Sequence, residues 1–187
     1  MKRLLLLKHW QLFCLLLVPP LLLPFTILAI VISGNDPIRA LEFFPFVIIV
    51  FITVFLGWIY GLGTGLQDKL PPGIRMNIHR FKILLAVPVF YLALFCVFLL
   101  YLVNGIANGV EPNPWIFLVI VPLHMISIFC IFYCMYFVAK ALKTVELQKT
   151  VPFSDFAGEF ALIWVFPVGI WILQPRINKL FTTSGNE

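Results

Sequence analysis

Four long stretches without a charged residue constrain what this chain can fold into. Asp, Glu, Lys and Arg are absent from residues 9–35 (27 residues), 43–67 (25), 83–110 (28) and 112–139 (28). An α-helix needs about 20 apolar residues to cross the hydrocarbon core of a bilayer. Each stretch is long enough, and the sequence predicts four transmembrane helices, near residues 10–33, 43–66, 83–104 and 115–139.

The composition excludes other common classes of protein. Of the 187 residues, 62% are hydrophobic and 11% are charged, whereas soluble domains carry about 25% charged residues. The net charge of +5 comes from short clusters between apolar stretches, which differ from the basic face of a nucleic-acid-binding protein. The strands of a transmembrane β-barrel would alternate polar and apolar residues. We therefore predict an all-α membrane protein whose main partner is the lipid bilayer, with no nucleic acid and with a four-helix transmembrane bundle.

The basic residues indicate how the bundle is oriented. Ten Lys and Arg precede the first span, connect the second to the third or lie directly after the fourth, in residues 140–149, whereas the other two connections together contain only Arg39. Such an excess is typical of cytoplasmic loops. The first span is too long for the apolar region of a cleaved signal peptide. We expect a multi-pass protein of the inner (plasma) membrane with a cytoplasmic N-terminus.

The second span carries a small residue at every fourth position, at Thr53, Gly57, Gly61 and Gly65. Residues at this spacing share one face of a helix, and small residues let two helix backbones approach closely in lipid. The stripe predicts a close helix–helix seam, within the chain or between two copies. The alternative is that the glycines only provide flexibility, and Gly63 lies off the stripe.

His124 is the exception among four spans that contain no Asp, Glu, Lys or Arg. An ionisable residue inside the membrane suggests a functional site, and an interhelical hydrogen bond is the alternative. One histidine cannot supply the paired axial ligands of a b-type haem. The cysteines lie inside spans and form no C-x-x-C motif, so we expect no metal and no cofactor. They are Cys14, Cys96, Cys130 and Cys134.

The chain divides into the four-helix bundle, residues 1–145, and a tail, residues 146–187. The charge-free stretch of the tail, residues 160–175, has 16 residues, which is short for a span. It is expected to form a short re-entrant or interfacial helical segment with both flanks in the cytoplasm. A fifth span that begins near Phe153 is the alternative.

Charged residues flank this stretch of the tail on both sides. If the segment is re-entrant, Asp155 and Glu159 at one end can face Arg176 and Lys179 at the other. These side chains would then pair at the membrane surface.

The tail sequence Gly169-Ile-Trp-Ile-Leu-Gln-Pro-Arg-Ile-Asn178, with Val145-Glu-Leu-Gln148 upstream, resembles that of a group of uncharacterised small bacterial membrane proteins. They share a Gly-x-Trp-x-x-Gln-Pro-Arg-x-Asn pattern, and the resemblance is confined to the tail. It implies a bacterial inner-membrane protein and no particular activity. The candidate functional residues are Trp171, Gln174, Arg176 and Asn178. The alternative is that the last three only satisfy backbone groups where a short helix ends.

Three functions agree with these features. The leading hypothesis is a non-enzymatic interaction or accessory subunit that binds another membrane protein or itself. A small transporter or channel is second, because Pro19 and Pro20 are expected to break the first helix and His124 lies inside the membrane. The third is a lipid-acting enzyme at the cytoplasmic face, in which Asp155, Glu159 and Arg176 do acid–base chemistry.

Overall fold

The computed structural model describes Leu5, residues 7–34 and residues 41–182, apart from the side chain of Glu42. These residues fold into helices joined by turns, with no β-strand among them, and a short 3₁₀ turn at Leu41–Phe43 precedes the second α-helix. The α-helices are α1 (His9–Ile32), α2 (Phe44–Gln67), α3 (Ile78–Ala107), α4 (Trp115–Leu147), α5 (Phe153–Trp164) and α6 (Phe166–Thr182).

The all-α membrane fold predicted from the sequence is confirmed, since α1 to α4 are long and apolar enough to cross a membrane. Two of them extend beyond the predicted spans: α3 begins at Ile78 and α4 ends at Leu147. With 33 residues, α4 is about 50 Å long, so part of it projects beyond a hydrocarbon core of about 30 Å. A charge-free stretch marks only the apolar part of a helix, which continues where charged side chains reach water.

Neighbouring helices of the bundle run in opposite directions. Within the described residues, every Lys and Arg therefore lies at one end of the bundle, which we call the basic end. Lys2, Arg3 and Arg39, which also entered the orientation prediction, lie outside the described residues. The basic residues at this end are Lys8, Lys69, Arg75, Arg80, Lys82, Lys140, Lys143, Lys149, Arg176 and Lys179.

Helices α5 and α6 form a pair bent by 120°, which we call the C-terminal hairpin. The ring of Phe156, early in α5, packs on Tyr136 of α4 with centroids 5.2 Å apart. The ring of Trp164, at the end of α5, packs on Phe132 at 5.9 Å. Because residue 132 is further from the basic end than residue 136, α5 runs from that end towards the middle of the bundle.

Helix α6 returns along the second half of α2. Its first residue, Phe166, packs on Phe51 and Phe55 near the middle of α2, with centroids 5.4 and 5.9 Å apart. Near its end, Phe181 lies against Gly65, close to the end of α2. The hairpin thus enters the bundle at the basic end and returns to it, which is the re-entrant geometry among the alternatives that the sequence left open.

The densely packed core lies in the half of the bundle next to the basic end, where the C-terminal hairpin fills the space beside α1, α2 and α4. Among its fully buried side chains are Leu12, Trp58, Leu62, Phe81, Leu142, Phe156, Ile170 and Ile177. The other half contains no hairpin and packs more loosely. The buried polar contacts of the tail lie in this densely packed half, at the basic end.

The expected break in the first helix is absent. Helix α1 is continuous from His9 to Ile32 and contains Pro19, Pro20 and Pro24. Each proline removes a backbone hydrogen bond, but hydrocarbon offers the neighbouring backbone groups no other partner, so the remaining helical bonds are retained. The proline pair therefore does not support the transporter hypothesis as predicted.

Candidate functional site

Gln174 lies at the centre of a buried network on α6. Its side chain is fully buried, and its Oε1 accepts a hydrogen bond from the indole N–H of Trp58 on α2 at 3.1 Å. Its Nε2 donates to the backbone oxygens of Leu5 and Leu7 at 3.1 and 3.0 Å. One side chain therefore joins the start of the chain, α2 and α6.

Asn178, one helical turn after Gln174, completes this amide network. Its Nδ2 donates to the backbone oxygen of Leu7 at 3.2 Å, and its Oδ1 accepts from Gln174 Nε2 at 3.1 Å. A side-chain amide has two hydrogens, so the three acceptors around Gln174 Nε2 share them. The carbonyls that the two amides satisfy belong to the start of the chain, and not to the end of a short helix as in the alternative above.

Four charged side chains form an ionic cluster between α4, α5 and α6. Arg176 donates from Nε and Nη2 to the two carboxylate oxygens of Glu146, at 2.9 and 2.5 Å. Its Nη2 also donates to Oε1 of Glu159 at 2.7 Å, and Nζ of Lys143 donates to the same oxygen at 3.0 Å. Bidentate arginine–carboxylate pairs are strong and directional, so the cluster fixes the hairpin to the end of α4.

The cluster keeps Glu159 in its charged form. Burial acts to raise the pKa of this carboxyl, but the hydrogen bonds from Arg176 and Lys143 outweigh burial and hold the pKa below its usual value. The hydrogen bonds to Glu146 raise the pKa of Arg176, while burial acts against them. Two cations and two carboxylates balance one another, and the cluster stabilises the fold without leaving an acid or base free.

Gly169 and Trp171 determine how the hairpin packs. A Cβ atom at Gly169 would lie 1.7 Å from the backbone oxygen of Leu162, so α5 and α6 approach at a distance that only glycine permits. The indole of Trp171 packs on His9 and Phe13 of α1, with ring centroids 4.6 and 5.5 Å apart. The Gly, Trp, Gln, Arg and Asn of the tail pattern therefore all contact the hairpin or the helices beside it.

Asp155 does not join the ionic cluster. It is exposed in the first turn of α5, where the hydroxyl of Ser154 donates to its Oδ1 at 3.4 Å. Of the charge pairs expected across the hairpin, the structure contains the one between Glu159 and Arg176. The proposed catalytic group of Asp155, Glu159 and Arg176 is thus not assembled.

His124, an exposed residue about halfway along the apolar part of α4, forms an interhelical hydrogen bond. Its Nδ1 lies 3.0 Å from the hydroxyl oxygen of Tyr91 on α3. Both side chains line two cavities with volumes of about 330 and 240 Å³. An interhelical hydrogen bond was the alternative to a functional role for His124. The cavities beside it also offer space for a ligand.

Within the chain, the small-residue stripe of α2 forms no continuous close seam. Thr53 is exposed, and together with Gly57 it lines a cavity of about 260 Å³ that faces Leu85 and Val89 of α3. Gly61, nearer the basic end, is buried. A cavity thus separates α2 from α3 at the first half of the stripe. The C-terminal hairpin does not reach this loosely packed half of the bundle and leaves the cavity unfilled.

Aromatic rings fill the space beside two other glycines of α2. A Cβ atom at Gly65 would lie 2.9 Å from the ring of Phe181, and one at Gly63 would lie 2.4 Å from the ring of Phe81. The tighter of the two contacts is therefore at the glycine off the stripe. These glycines make room for rings and not for a second backbone.

Three residues of these networks belong to no motif of the sequence. They are Trp58, Tyr91 and Lys143. A buried tryptophan needs an acceptor for its N–H, so an indole in the middle of an apolar span could have indicated a polar partner. No local signal links Glu146 to Arg176, because the contact depends on how the hairpin folds back.

Comparison with protein-family models, curated protein sequences and solved structures finds no match. Within the part of the chain that the structure describes, no three or more His, Cys, Asp or Glu side chains are placed to hold a metal ion.

Proposed function

We propose that this chain is a multi-pass inner-membrane protein that acts as a non-enzymatic accessory subunit of another membrane protein. The observation that supports this proposal most is a division of roles within the molecule. The polar residues of the tail join the chain's own helices, whereas the distal half of α1 (residues 18–32) leaves its apolar surface uncovered.

The distal half of α1 offers a face that suits a partner helix. After Leu16, no residue of α1 is buried. Thr26 and Ala29 of α1 and Ser33, directly after its end, are exposed at spacings of three and four, so they lie on one side. Small residues on a shared face allow close contact between membrane helices. The hydroxyl groups of Thr26 and Ser33 are satisfied within their own helix, which leaves a smooth surface for a second backbone.

The orientation with a cytoplasmic N-terminus is supported by the distribution of charge. Every described Lys and Arg lies at the basic end, including Arg176 and Lys179 of the tail. The connection at the opposite end, between α3 and α4, carries Glu111 and no basic residue. Under the positive-inside rule, the basic end faces the cytoplasm.

Photocrosslinking in the native host tests the accessory-subunit proposal. A benzophenone amino acid replaces Ala29 on the exposed small-residue face or, as a matched control, Phe90 on α3, which is 77% exposed. We expect a protein adduct of defined mass at residue 29 and none at residue 90. Affinity purification in mild detergent should recover the same protein in a fixed ratio. Adducts that are absent or equal at both positions, with no co-purifying protein, would contradict the proposal.

A small transporter or channel is the second candidate, supported by the cavities beside His124. The cavity walls are almost wholly apolar: the larger one contains Tyr91, His124 and Ser127 as its polar side chains. Such walls suit a hydrophobic molecule better than a hydrated ion. A water-filled path is therefore less well supported than binding of a lipid-soluble compound.

A further inference from the structure

The pair formed by His124 and Tyr91 has a hydrogen-bond donor to spare. A neutral imidazole carries one N–H and a phenol one O–H, and a single hydrogen lies between His124 Nδ1 and the Tyr91 hydroxyl. Whichever ring donates, the other keeps a hydrogen. Neither ring has another hydrogen-bond partner among the described residues. An unsatisfied donor is costly in hydrocarbon, so this position favours a ligand with an acceptor.

The larger of the two cavities that the pair lines can hold an apolar molecule. This cavity, about 330 Å³, lies between α2, α3 and α4 and falls within the range of about 300–1,000 Å³ that is typical of small-molecule pockets. Aromatic rings in its wall can pack on a flat ring. Its wall includes Ile48, Phe51, Leu92, Phe95 and Ile128.

The depth of the His124–Tyr91 pair in the membrane limits which ligands can reach it. His124 comes nine residues after Trp115 at the start of α4, which places it about 14 Å along the helix. The ester groups of phospholipids lie at the edge of the hydrocarbon core, which is about 30 Å thick, and do not reach this depth. The acceptor must belong to a molecule that dissolves in the core itself.

We propose that the larger cavity binds the ring of a lipophilic quinone. One quinone carbonyl accepts the spare hydrogen of the His124–Tyr91 pair, and the ring packs against Phe51 and Phe95. The apolar tail of the quinone extends into the bilayer. The proposal concerns binding alone and does not depend on the accessory-subunit function.

Competition for a photoreactive probe tests this site. The full-length protein is placed in lipid nanodiscs free of quinone and labelled with an azidoquinone that carries a decyl tail. Decylubiquinone and decylbenzene, which has no carbonyl, serve as competitors. We expect labelled peptides from the cavity wall on α2, α3 and α4, and competition by decylubiquinone at least fivefold stronger than by decylbenzene. Equal competition, or labelling elsewhere, would overturn the proposal without any variant.

Substitutions provide a second test of the hydrogen bond. Either ring alone can still donate, so the double variant Tyr91→Phe/His124→Phe is needed to remove both donors. It should bind decylubiquinone about fivefold to tenfold more weakly, as expected for one lost hydrogen bond. Ile128→Trp should fill the cavity and abolish specific labelling. Tyr101→Phe, an exposed position on α3 outside the cavities, should bind as the wild type does.

The variants are compared only where gel filtration shows a monodisperse protein. Unchanged affinity in a folded double variant would contradict recognition of the carbonyl. Full labelling of a folded Ile128→Trp variant would contradict the assignment of the cavity.

Discussion

The indole N–H of Trp58 donates to Oε1 of Gln174 at 3.1 Å, across 116 positions of the chain. Both side chains are fully buried. This bond joins α2 to α6, and the amide nitrogen of Gln174 joins both to the start of the chain. The tail is thereby part of the bundle core.

The amide network should contribute measurably to stability. In Gln174→Leu, the Trp58 N–H and the carbonyl of Leu5 lose their partner inside the core, whereas the carbonyl of Leu7 keeps its bond from Asn178. Buried groups left unpaired cost about 1–3 kcal/mol each, so we expect a loss of about 2–4 kcal/mol in the free energy of unfolding. Denaturation by SDS in mixed micelles, followed by circular dichroism, measures it.

A control and a double variant make this prediction specific. Asn104→Leu exchanges an exposed amide of α3 and should change stability by less than about 0.5 kcal/mol. Trp58→Phe combined with Gln174→Leu should cost less than the sum of the two single changes, since they remove one shared bond. Strict additivity would mean that the two side chains do not interact.

The ionic cluster should make stability depend on pH. The pKa of Glu159 is lowered in the folded protein, so its stabilising effect is full above the unfolded pKa of about 4.3. This effect is lost as the pH falls through the folded value. We expect a constant free energy of unfolding from pH 8 to pH 6 and a decrease below pH 4.5. The decrease should be smaller in Glu159→Gln, and an identical pH profile in the variant would refute the assignment.

Arg176 should be hard to replace because it binds Glu146 through two nitrogens and also contacts Glu159. Arg176→Gln leaves a nearly buried carboxylate with Lys143 alone, and we expect a loss of about 2–4 kcal/mol. Lysine cannot reproduce the paired N–H donors of the guanidinium group. The free energy of unfolding of Arg176→Lys should therefore fall between those of Arg176→Gln and the wild type. A fully stable Arg176→Lys protein would show that charge alone suffices.

Two glycines of the hairpin should respond to alanine in opposite ways. In Gly169→Ala the new methyl group collides with the backbone of Leu162, and we expect a loss of at least about 3 kcal/mol. Around Gly158 a Cβ atom meets nothing within 4 Å, so Gly158→Ala should be neutral or stabilise α5 by up to about 1 kcal/mol. Thermal unfolding in detergent compares the two, and equal effects would contradict the packing of the hairpin.

Hydropathy and charge predict most of the fold. The four apolar helices follow from the charge-free stretches, because in lipid a helix is the way for a single segment to satisfy its own backbone. The start of α3 and the end of α4 do not follow from the charge-free stretches, because a helix can continue through charged residues once it leaves the hydrocarbon core. The 16 apolar residues of the tail suggested a re-entrant segment, but their contacts with α2 depend on tertiary packing.

The candidate site could be predicted only in part. Gln174, Arg176 and Asn178 were candidates because they belong to the tail pattern that resembles other small membrane proteins. Which partners they find, Trp58 and Glu146 among them, is decided by long-range packing that leaves no local pattern. The small residues at Gly57 and Gly61 predicted the distance between helices less well, since that distance depends on the rings and cavities beside α2.

The direction of the hairpin is the central claim, and cysteine labelling tests it most directly. Single cysteines at Thr182, at Pro72 in the α2–α3 connection and at Glu111 in the α3–α4 connection are introduced after replacement of the native cysteines. Intact cells are treated with a membrane-impermeant maleimide. We predict labelling at position 111 and protection at positions 72 and 182, which become reactive after permeabilisation. Labelling of position 182 in intact cells, with position 72 still protected, would show that the tail crosses the membrane and would contradict the account.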